Sequence, residues 1–314
     1  MERTFSPRLS LVLSLLLGLG ALSVPADAFA QDRDQKAERR VLKANQVDTR
    51  AAQSEELRKA AHDARLESIS RLKEIIANSP ATGDQKAEML LRLADLYFEE
   101  GRDLYLGEMA TFQKCFDDEF NKPNGKPEEA CKQADFVKES RSWQDKSIKL
   151  YKQILTSYPQ YSRADEATFY LGQALSDTNQ ADPANAEFTK LVKTYPESKF
   201  VPDAYVLIGE YWFERNEAYK ALNAYQKAAA YKEHEKYAFA NYKLAWCYYN
   251  VGDYATAIDK MKAVVAYSMS QSTTGDTAAR SRLQLQDEAL KDLVRFFAHA
   301  GEMDEAYEYL NKLG

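Results

Sequence analysis

One segment of this sequence, between Tyr205 and Val264, contains the same pattern twice. The two copies read YVLIGEYWFERNEAYKALNAYQKA and NYKLAWCYYNVGDYATAIDKMKAV. In each copy, large apolar residues recur at helical spacing around a small residue, Gly209 or Ala245, and a polar turn then leads into a second helix. The small residue lets the two helices approach closely. Because such a pair cannot bury its apolar face alone, the pattern predicts a row of stacked helical pairs.

The same pattern extends over most of the chain. A leading half repeat ends at Pro80, and further pairs begin near Leu90, Thr168 and Leu290. Together with the two copies above, these make five pairs and one leading half over residues 65–314. The predicted fold is therefore all-α, a solenoid of helix–turn–helix repeats.

One repeat is interrupted by an insertion. The step from Leu93 to Leu171 is 78 residues, whereas the next step, from Leu171 to Ile208, is 37, so about 41 residues have been added, at about 102–142. Helical stripes flank the turn sequence NKPNGKP within this insertion. We expect the two helices of the repeat to be prolonged into a hairpin that projects about 30 Å from the array.

Two cysteines lie at similar heights on the predicted hairpin. Cys115 is nine residues before Asn124 and Cys131 is seven residues after it, so the two thiols face each other across the hairpin. In an exported protein such a pair is expected to form a disulfide. The remaining Cys247 is flanked by aromatic residues on a core helix, where we expect a small buried apolar group and not a nucleophile.

Residues 65–314 resemble tetratricopeptide repeat proteins. The recurring endings ILTSYPQYSRADEATFYLG and LVKTYPESKFVPDAYVLIG resemble exported bacterial members of that family. Those members include outer-membrane-assembly lipoproteins and periplasmic proteins associated with the Tol-Pal and cell-division machinery. The resemblance implies a non-enzymatic scaffold that binds segments of other proteins within a cell-envelope complex.

In this family the first helix of each pair lines a concave groove, which implies a set of exposed residues that meet a partner. The implied groove residues are Phe98, Phe169, Gln173, Glu210, Phe213, Tyr242, Trp246, Tyr249 and Asn250, with Asp95, Lys291, Arg295 and His299 on the same face. Aromatic side chains offer large contact areas at low entropic cost. Two interpretations of these rings stay open: they bind a partner, which we favour for Trp246 and Tyr249, or they only pack against neighbouring helices.

The N-terminal segment has the form of a signal peptide. A basic start precedes an apolar run over residues 9–22, and Ala28-Phe29-Ala30 matches a small-x-small cleavage site. We expect residues 1–30 to be removed and the product to be a soluble periplasmic protein, because no cysteine for lipidation ends the apolar run. The alternative is an uncleaved membrane anchor. Residues 31–64 are predicted to be helical or partly disordered, since they lack glycine and proline.

Charge and histidine spacing argue against several kinds of ligand. The net charge is −6, and lysine and arginine are spread among the acidic residues, so no basic surface is available for nucleic acid. The histidines His62, His234 and His299 lie far apart in the sequence, and none has a further histidine or cysteine at metal-ligand spacing. We therefore expect no metal and no other cofactor.

Catalytic signatures are also missing from the sequence. It has no glycine-rich phosphate loop, no Gly-x-Ser-x-Gly elbow and no His-Glu-x-x-His helix, so we expect a protein that is not an enzyme. Binding of cell-wall glycan stays open as an alternative function, because aromatic residues accompany Gln173, Glu210 and Asn250.

The last repeat ends without a polar outer helix. Leu310 and Leu313 are followed only by Gly314, whereas solenoids normally end in a helix whose outer side is polar. We expect either that the natural polypeptide continues or that this edge docks on a partner or on a second copy of the chain.

Overall fold

The computed structural model describes residues 55–270 and 277–313, so the predicted signal peptide and most of segment 31–64 lie outside the described residues. The chain divides into two units, Met1–His62 and Asp63–Gly314, and the repeats lie in the second. The described residues form helices and no strand, which confirms the all-α prediction. None of the described helices combines the length and apolar character that a membrane span requires.

The helices stack in the order of the chain. They are α1 (55–78), α2 (Gly83–Phe120), α3 (Pro127–Ala130), α4 (Gln133–Phe136), α5 (Lys138–Ser157), α6 (Ala164–Asp177), α7 (Ala181–Thr194), α8 (Val201–Glu214), α9 (Ala218–Ala228), α10 (Tyr237–Asn250), α11 (Tyr254–Ser270), α12 (Thr277–Ala300) and α13 (Met303–Leu313). The first helices α2, α6, α8, α10 and α12 pack against the second helices α5, α7, α9, α11 and α13 respectively. Each second helix from α5 to α11 also packs against the first helix of the next pair, which confirms the predicted solenoid.

The small residue of the repeat is required by an aromatic ring on the second helix. A Cβ atom at Gly172 would lie 2.5 Å from Cε1 of Phe188, and one at Gly209 would lie 2.5 Å from Cε1 of Tyr225. Glycine within a helix costs up to about 1 kcal/mol relative to alanine. That cost is offset here because the ring packs directly on the glycine and fills the interface between the two helices.

Two of the second helices add a buried tyrosine hydroxyl to this interface within the helical pair. The Tyr151 hydroxyl donates a hydrogen bond to Asp95 at 2.8 Å, and the Tyr225 hydroxyl donates to Glu210. In both pairs the carboxylate follows the small residue of the first helix. The corresponding ring of the pair α6–α7 is Phe188, which has no hydroxyl. A buried hydroxyl needs an acceptor, so the acidic residue at this position is explained by the tyrosine opposite.

The insertion forms one continuous arm and one broken arm. Helix α2 runs for 38 residues without interruption, whereas the returning chain consists of α3, α4 and the start of α5. The expectation of a continuous returning helix is therefore wrong. The backbone leaves the helical conformation at Cys131, with φ −117° and ψ 89°, and at Lys132, with φ −90° and ψ 119°.

Three kinds of contact tie the returning arm to α2. The predicted disulfide joins Cys115 to the buried Cys131, with a Cα separation of 6.1 Å. The Phe112 and Phe136 rings meet edge to face, with centroids 5.7 Å apart. A carboxylate oxygen of Glu108 accepts hydrogen bonds from the backbone N–H groups of Glu139 and Ser140 in the first turn of α5, each at 3.2 Å. This places a negative charge at a helix N-terminus, where the helix dipole favours it.

The third cysteine is part of the core. Cys247 is fully buried on α10, and this burial raises the pKa of its thiol to about 12. A thiol of that pKa stays protonated at neutral pH, and only the thiolate is nucleophilic. The expectation of a small buried apolar group is confirmed.

Candidate functional site

Two residues expected on the exposed groove face are buried. Phe98 and Phe169 are each 5% exposed. The Phe169 ring stacks on Phe200, which leads into the next pair, with centroids 4.7 Å apart, and the Phe98 ring lies 5.8 Å from that of Tyr170. The expected exposure of Phe98 and Phe169 is therefore wrong, because these positions fill the contact between neighbouring repeats.

The other groove residues expected on α6 and α8, which are Gln173, Glu210 and Phe213, are half-buried. Gln173 lies at the surface of α6 without being fully exposed. Glu210 accepts the hydrogen bond from Tyr225 and also pairs with Lys243 of α10 at 3.0 Å. The Lys243 ammonium in turn lies 4.7 Å from the centre of the Phe213 ring. Glu210 and Phe213 are thus already engaged by a cation of the next repeat.

Asp95 is an inner-face carboxylate with an unusual environment. It is half-buried, accepts the hydrogen bond from Tyr151, and lies near Glu166. Burial raises its pKa to about 6, and the repulsion from Glu166 acts in the same direction, while the Tyr151 hydrogen bond opposes both. Asp95 therefore titrates in a range where ordinary aspartates are fully charged.

The aromatic residues of α10 form a contact with α12 that we call the aromatic seam, consisting of Tyr242, Trp246, Tyr249, Asp292 and Phe296. The Tyr242 hydroxyl donates to Asp292 Oδ2 at 2.6 Å, and Trp246 Nε1 donates to the same oxygen at 3.1 Å. The Trp246 ring meets Phe296 edge to face, with centroids 5.1 Å apart. One half-buried carboxylate thus fixes two rings of the neighbouring helix.

Tyr249 completes the aromatic seam. Its ring stacks on Phe296 with centroids 4.6 Å apart and an interplanar angle of 16°, and its hydroxyl lies 2.6 Å from Nδ1 of His299. Asn250, by contrast, is exposed at the end of α10. The rings of Tyr242, Trp246 and Tyr249 pack against the neighbouring helix and stay half-buried, and the binding of a partner by Trp246 and Tyr249 stays a prediction. The faces that would stack on a sugar are partly covered in the same way.

A cleft lies where the hairpin leaves the solenoid, and we call it the junction cleft. Its volume is about 590 Å³. It is enclosed by the continuation of α2 past Gly101, by α5, and by the end of α6. The lining residues are Arg65, Phe98, Glu99, Arg102, Asp103, Tyr105, Leu106, Gln144, Ser176, Asp177 and Asn179. Its size is that of a typical ligand site.

The arginines of the junction cleft differ in how firmly they are paired. Arg65 donates to the buried Glu100 at 2.7 Å and to Asp103 at 2.5 Å. The Arg102 guanidinium is 3.7 Å from the Asp177 carboxylate and 5.5 Å from the centre of the Phe98 ring, and its side chain is 58% exposed. Burial raises the pKa of Asp177, and the nearby Arg102 opposes that rise only in part.

Sequence reasoning missed this cleft. Of its lining residues, the groove prediction contained only Phe98. The lining residues come from α1, from α2 on both sides of Gly101, from α5, and from the end of α6, about 75 positions after Gly101 in the chain. The available signal was the charged and aromatic stretch RDLY directly after Gly101, which is richer in functional groups than a repeat turn requires.

Among the described residues, no three histidine, cysteine, aspartate or glutamate side chains are placed to hold a metal ion.

The tetratricopeptide repeat family profile matches residues 166–198 and 239–267, which cover α6 with α7 and α10 with α11. No curated protein matches the chain. Among solved structures, a MamA protein is 21% identical with a TM-score of 0.43, over 65% of this chain and 89% of that one. The TPR-like repeats of a putative kinesin light chain from Podosopora anserina are 14% identical with a TM-score of 0.41, over 55% of this chain and 85% of that one. The apo form of RapI is 13% identical with a TM-score of 0.47, over 82% of this chain and 75% of that one.

Proposed function

We propose that this chain, a tetratricopeptide repeat protein, is a non-enzymatic scaffold that holds a segment of a partner protein against the inner face formed by its first helices. Tetratricopeptide repeat proteins are generally scaffolds of this kind, because stacked helical pairs leave an extended surface beside them. The observation that carries the proposal is the junction cleft of about 590 Å³, which combines aromatic and charged side chains.

The composition of the junction cleft supports a polypeptide ligand. Tyr105 and the neighbouring Leu106, which is 70% exposed, provide apolar area at its rim. Charged side chains surround this area, among them Glu99 and Arg102. Protein-binding surfaces have this arrangement, in which aromatic and aliphatic anchors are bordered by polar groups.

The proposed place of action is a complex in the bacterial periplasm. The signal-peptide pattern of residues 1–30 supports export. The disulfide between Cys115 and Cys131 supports an oxidising compartment, since such bonds are rare in the cytosol. N-terminal sequencing and a thiol count on the mature protein test this part: we expect a start at Gln31 and one free thiol, that of Cys247. A chain that still starts at Met1, or three free thiols, would contradict it.

Photo-crosslinking tests the scaffold itself. With p-benzoylphenylalanine in place of Leu106, at the rim of the cleft, we expect a protein adduct of defined mass in intact cells. The matched control places the same crosslinker at Tyr219, a 76% exposed residue on the second helix α9. Adducts at Tyr219 in equal yield, or no adduct at Leu106, would contradict the proposed function.

A further inference from the structure

The helices of the repeats differ in the sign of their charge. The first helices α6 and α8 carry only acidic side chains: Asp165, Glu166 and Asp177 on α6, and Asp203, Glu210 and Glu214 on α8. The second helix α9 carries Lys220 and Lys227 and no acid. Because the first helices form the inner face in this part of the chain, that face is acidic and attracts cations.

One of these carboxylates, Glu166, lies near two carboxylates of α2 and the ring of Tyr170. Asp95 and Glu99 of α2 and Glu166 of α6 all lie close enough to Tyr170 to act on its hydroxyl, and together with burial they raise its pKa. Arg163 pairs with Glu166 at 2.8 Å. Glu99 lines the cleft with its side chain 53% exposed, and its carboxylate lies 3.6 Å from Nε of Arg65.

Arg102 illustrates how a cation is accommodated in the cleft. Its guanidinium lies against the Phe98 ring and toward the Asp177 carboxylate, but the closest approach to Asp177 is 3.7 Å, which is longer than a direct hydrogen bond. Asp177 is only about one-third exposed. A second cation from outside would therefore meet two carboxylates, Glu99 and Asp177. The arginines nearest to them, Arg65 and Arg102, lie at 3.6 and 3.7 Å, which is too long for a close charge-assisted hydrogen bond.

From this arrangement we infer that the partner segment held in the junction cleft is cationic, with arginine or lysine side chains directed at Glu99 and Asp177. The inference rests on the proposed function and adds the chemistry of the partner. An acidic segment would meet repulsion from both carboxylates, whereas an arginine or lysine would be attracted by both.

A selection experiment tests the inference without knowledge of the natural partner. A random heptapeptide library is selected at near-physiological ionic strength on three proteins: the wild type, the double variant Glu99→Gln/Asp177→Asn, and the control double variant Asp145→Asn/Asp259→Asn. The control removes two exposed carboxylates from the second helices α5 and α11, so the net charge of both double variants is equal. We expect arginine and lysine to be enriched on the wild type and the control but not on Glu99→Gln/Asp177→Asn.

A selected peptide then measures the size of the effect. Its affinity is compared with that of the same peptide carrying citrulline, a neutral isostere, in place of arginine. We expect binding to the wild type to weaken about three- to tenfold for each charge removed, from either the peptide or the cleft.

The outcomes separate this inference from the proposed function. Three results would overturn the inference that the partner is cationic. They are enrichment of neutral or acidic peptides, equal binding of the arginine and citrulline peptides, and unchanged enrichment on Glu99→Gln/Asp177→Asn. If any of these occurs while the crosslinker at position 106 still captures a protein, the scaffold function stands. If that crosslinker captures nothing and no peptide is enriched, both proposals fail.

Discussion

The two ends of the inner face use similar residues for different purposes. At the aromatic seam, one carboxylate, Asp292, receives hydrogen bonds from two rings of the neighbouring helix. At the junction cleft, the carboxylate Asp177 meets a guanidinium only at 3.7 Å, and that arginine is mostly exposed. Aromatic content alone therefore does not mark a binding surface. What distinguishes the two ends is whether the polar groups of the rings and carboxylates are already satisfied within the chain.

Truncation of two rings of the aromatic seam tests whether the seam stabilises the chain or binds a partner. We expect the double variant Trp246→Ala/Tyr249→Ala to lose about 4 kcal/mol of stability, because two large rings that pack on Phe296 are removed. Urea unfolding followed by circular dichroism measures this loss. An unchanged unfolding midpoint together with lost partner capture would instead assign the seam to binding.

The fold was predictable because several copies of one pattern agree. Gly172 and Gly209 stand against the rings of Phe188 and Tyr225 in the structure as the repeat requires. The break in the returning arm was not predictable although the disulfide was, since the sequence does not show that the chain leaves the helical conformation at the bonded Cys131. Local propensity carries no information about the effect of such a distant bond.

The site was predicted less well than the fold. Exposure of Phe98 and Phe169 was inferred from their place in the repeat, but rings from the following pair cover both. The junction cleft depends on the meeting of the α2 extension with the end of α6. That meeting depends on the length and direction of an insertion, which repeat spacing does not specify.

Removal of the disulfide tests whether the hairpin next to the junction cleft is a separate unit of stability. We expect Cys115→Ser/Cys131→Ser to lower the free energy of opening the hairpin by about 3 kcal/mol, as expected for a closed loop of this length. Hydrogen exchange should show the loss within α3 and α4 and leave α10 to α12 unchanged. Equal loss of protection in both regions would mean that the hairpin is not a separate unit of stability.

Matched removal of one carboxylate at each end compares the two regions directly. Asp292→Ala leaves the Tyr242 hydroxyl and the Trp246 N–H without their acceptor, for which we expect a loss of about 2 kcal/mol. Asp177→Ala should change stability by less than about 0.5 kcal/mol, because its ion pair with an exposed arginine is weak. Equal losses of stability in the two variants, measured by thermal unfolding, would show that the carboxylates at the two ends contribute equally to the fold.

A pH dependence at the cleft end is expected to be smaller than the loss at Asp292. The pKa of Asp95 is about 6 when folded and about 4 when unfolded, so the folded state binds more protons between these values. The resulting stabilisation is full below about pH 4 and is lost as the pH rises through 6. Besides Tyr151, the charged groups that act on Asp95 are Glu166, Arg163 and Arg92.

Asp95→Asn tests that pH dependence. The asparagine side-chain oxygen can still accept from the Tyr151 hydroxyl, but the group no longer titrates. We expect the variant to be more stable than the wild type by about 1–2 kcal/mol at neutral pH, with the difference shrinking toward pH 4. A difference that is independent of pH would exclude titration of Asp95 as its cause.

Hydrogen exchange on the protein alone and bound to the partner captured through position 106 tests the central claim most directly. We predict slower exchange in the segments that line the junction cleft, 98–106 and 176–179, and no change across the aromatic seam at 242–249. Slower exchange across 242–249 with no change at the cleft would contradict the account, because it would place the binding surface at the other end of the inner face.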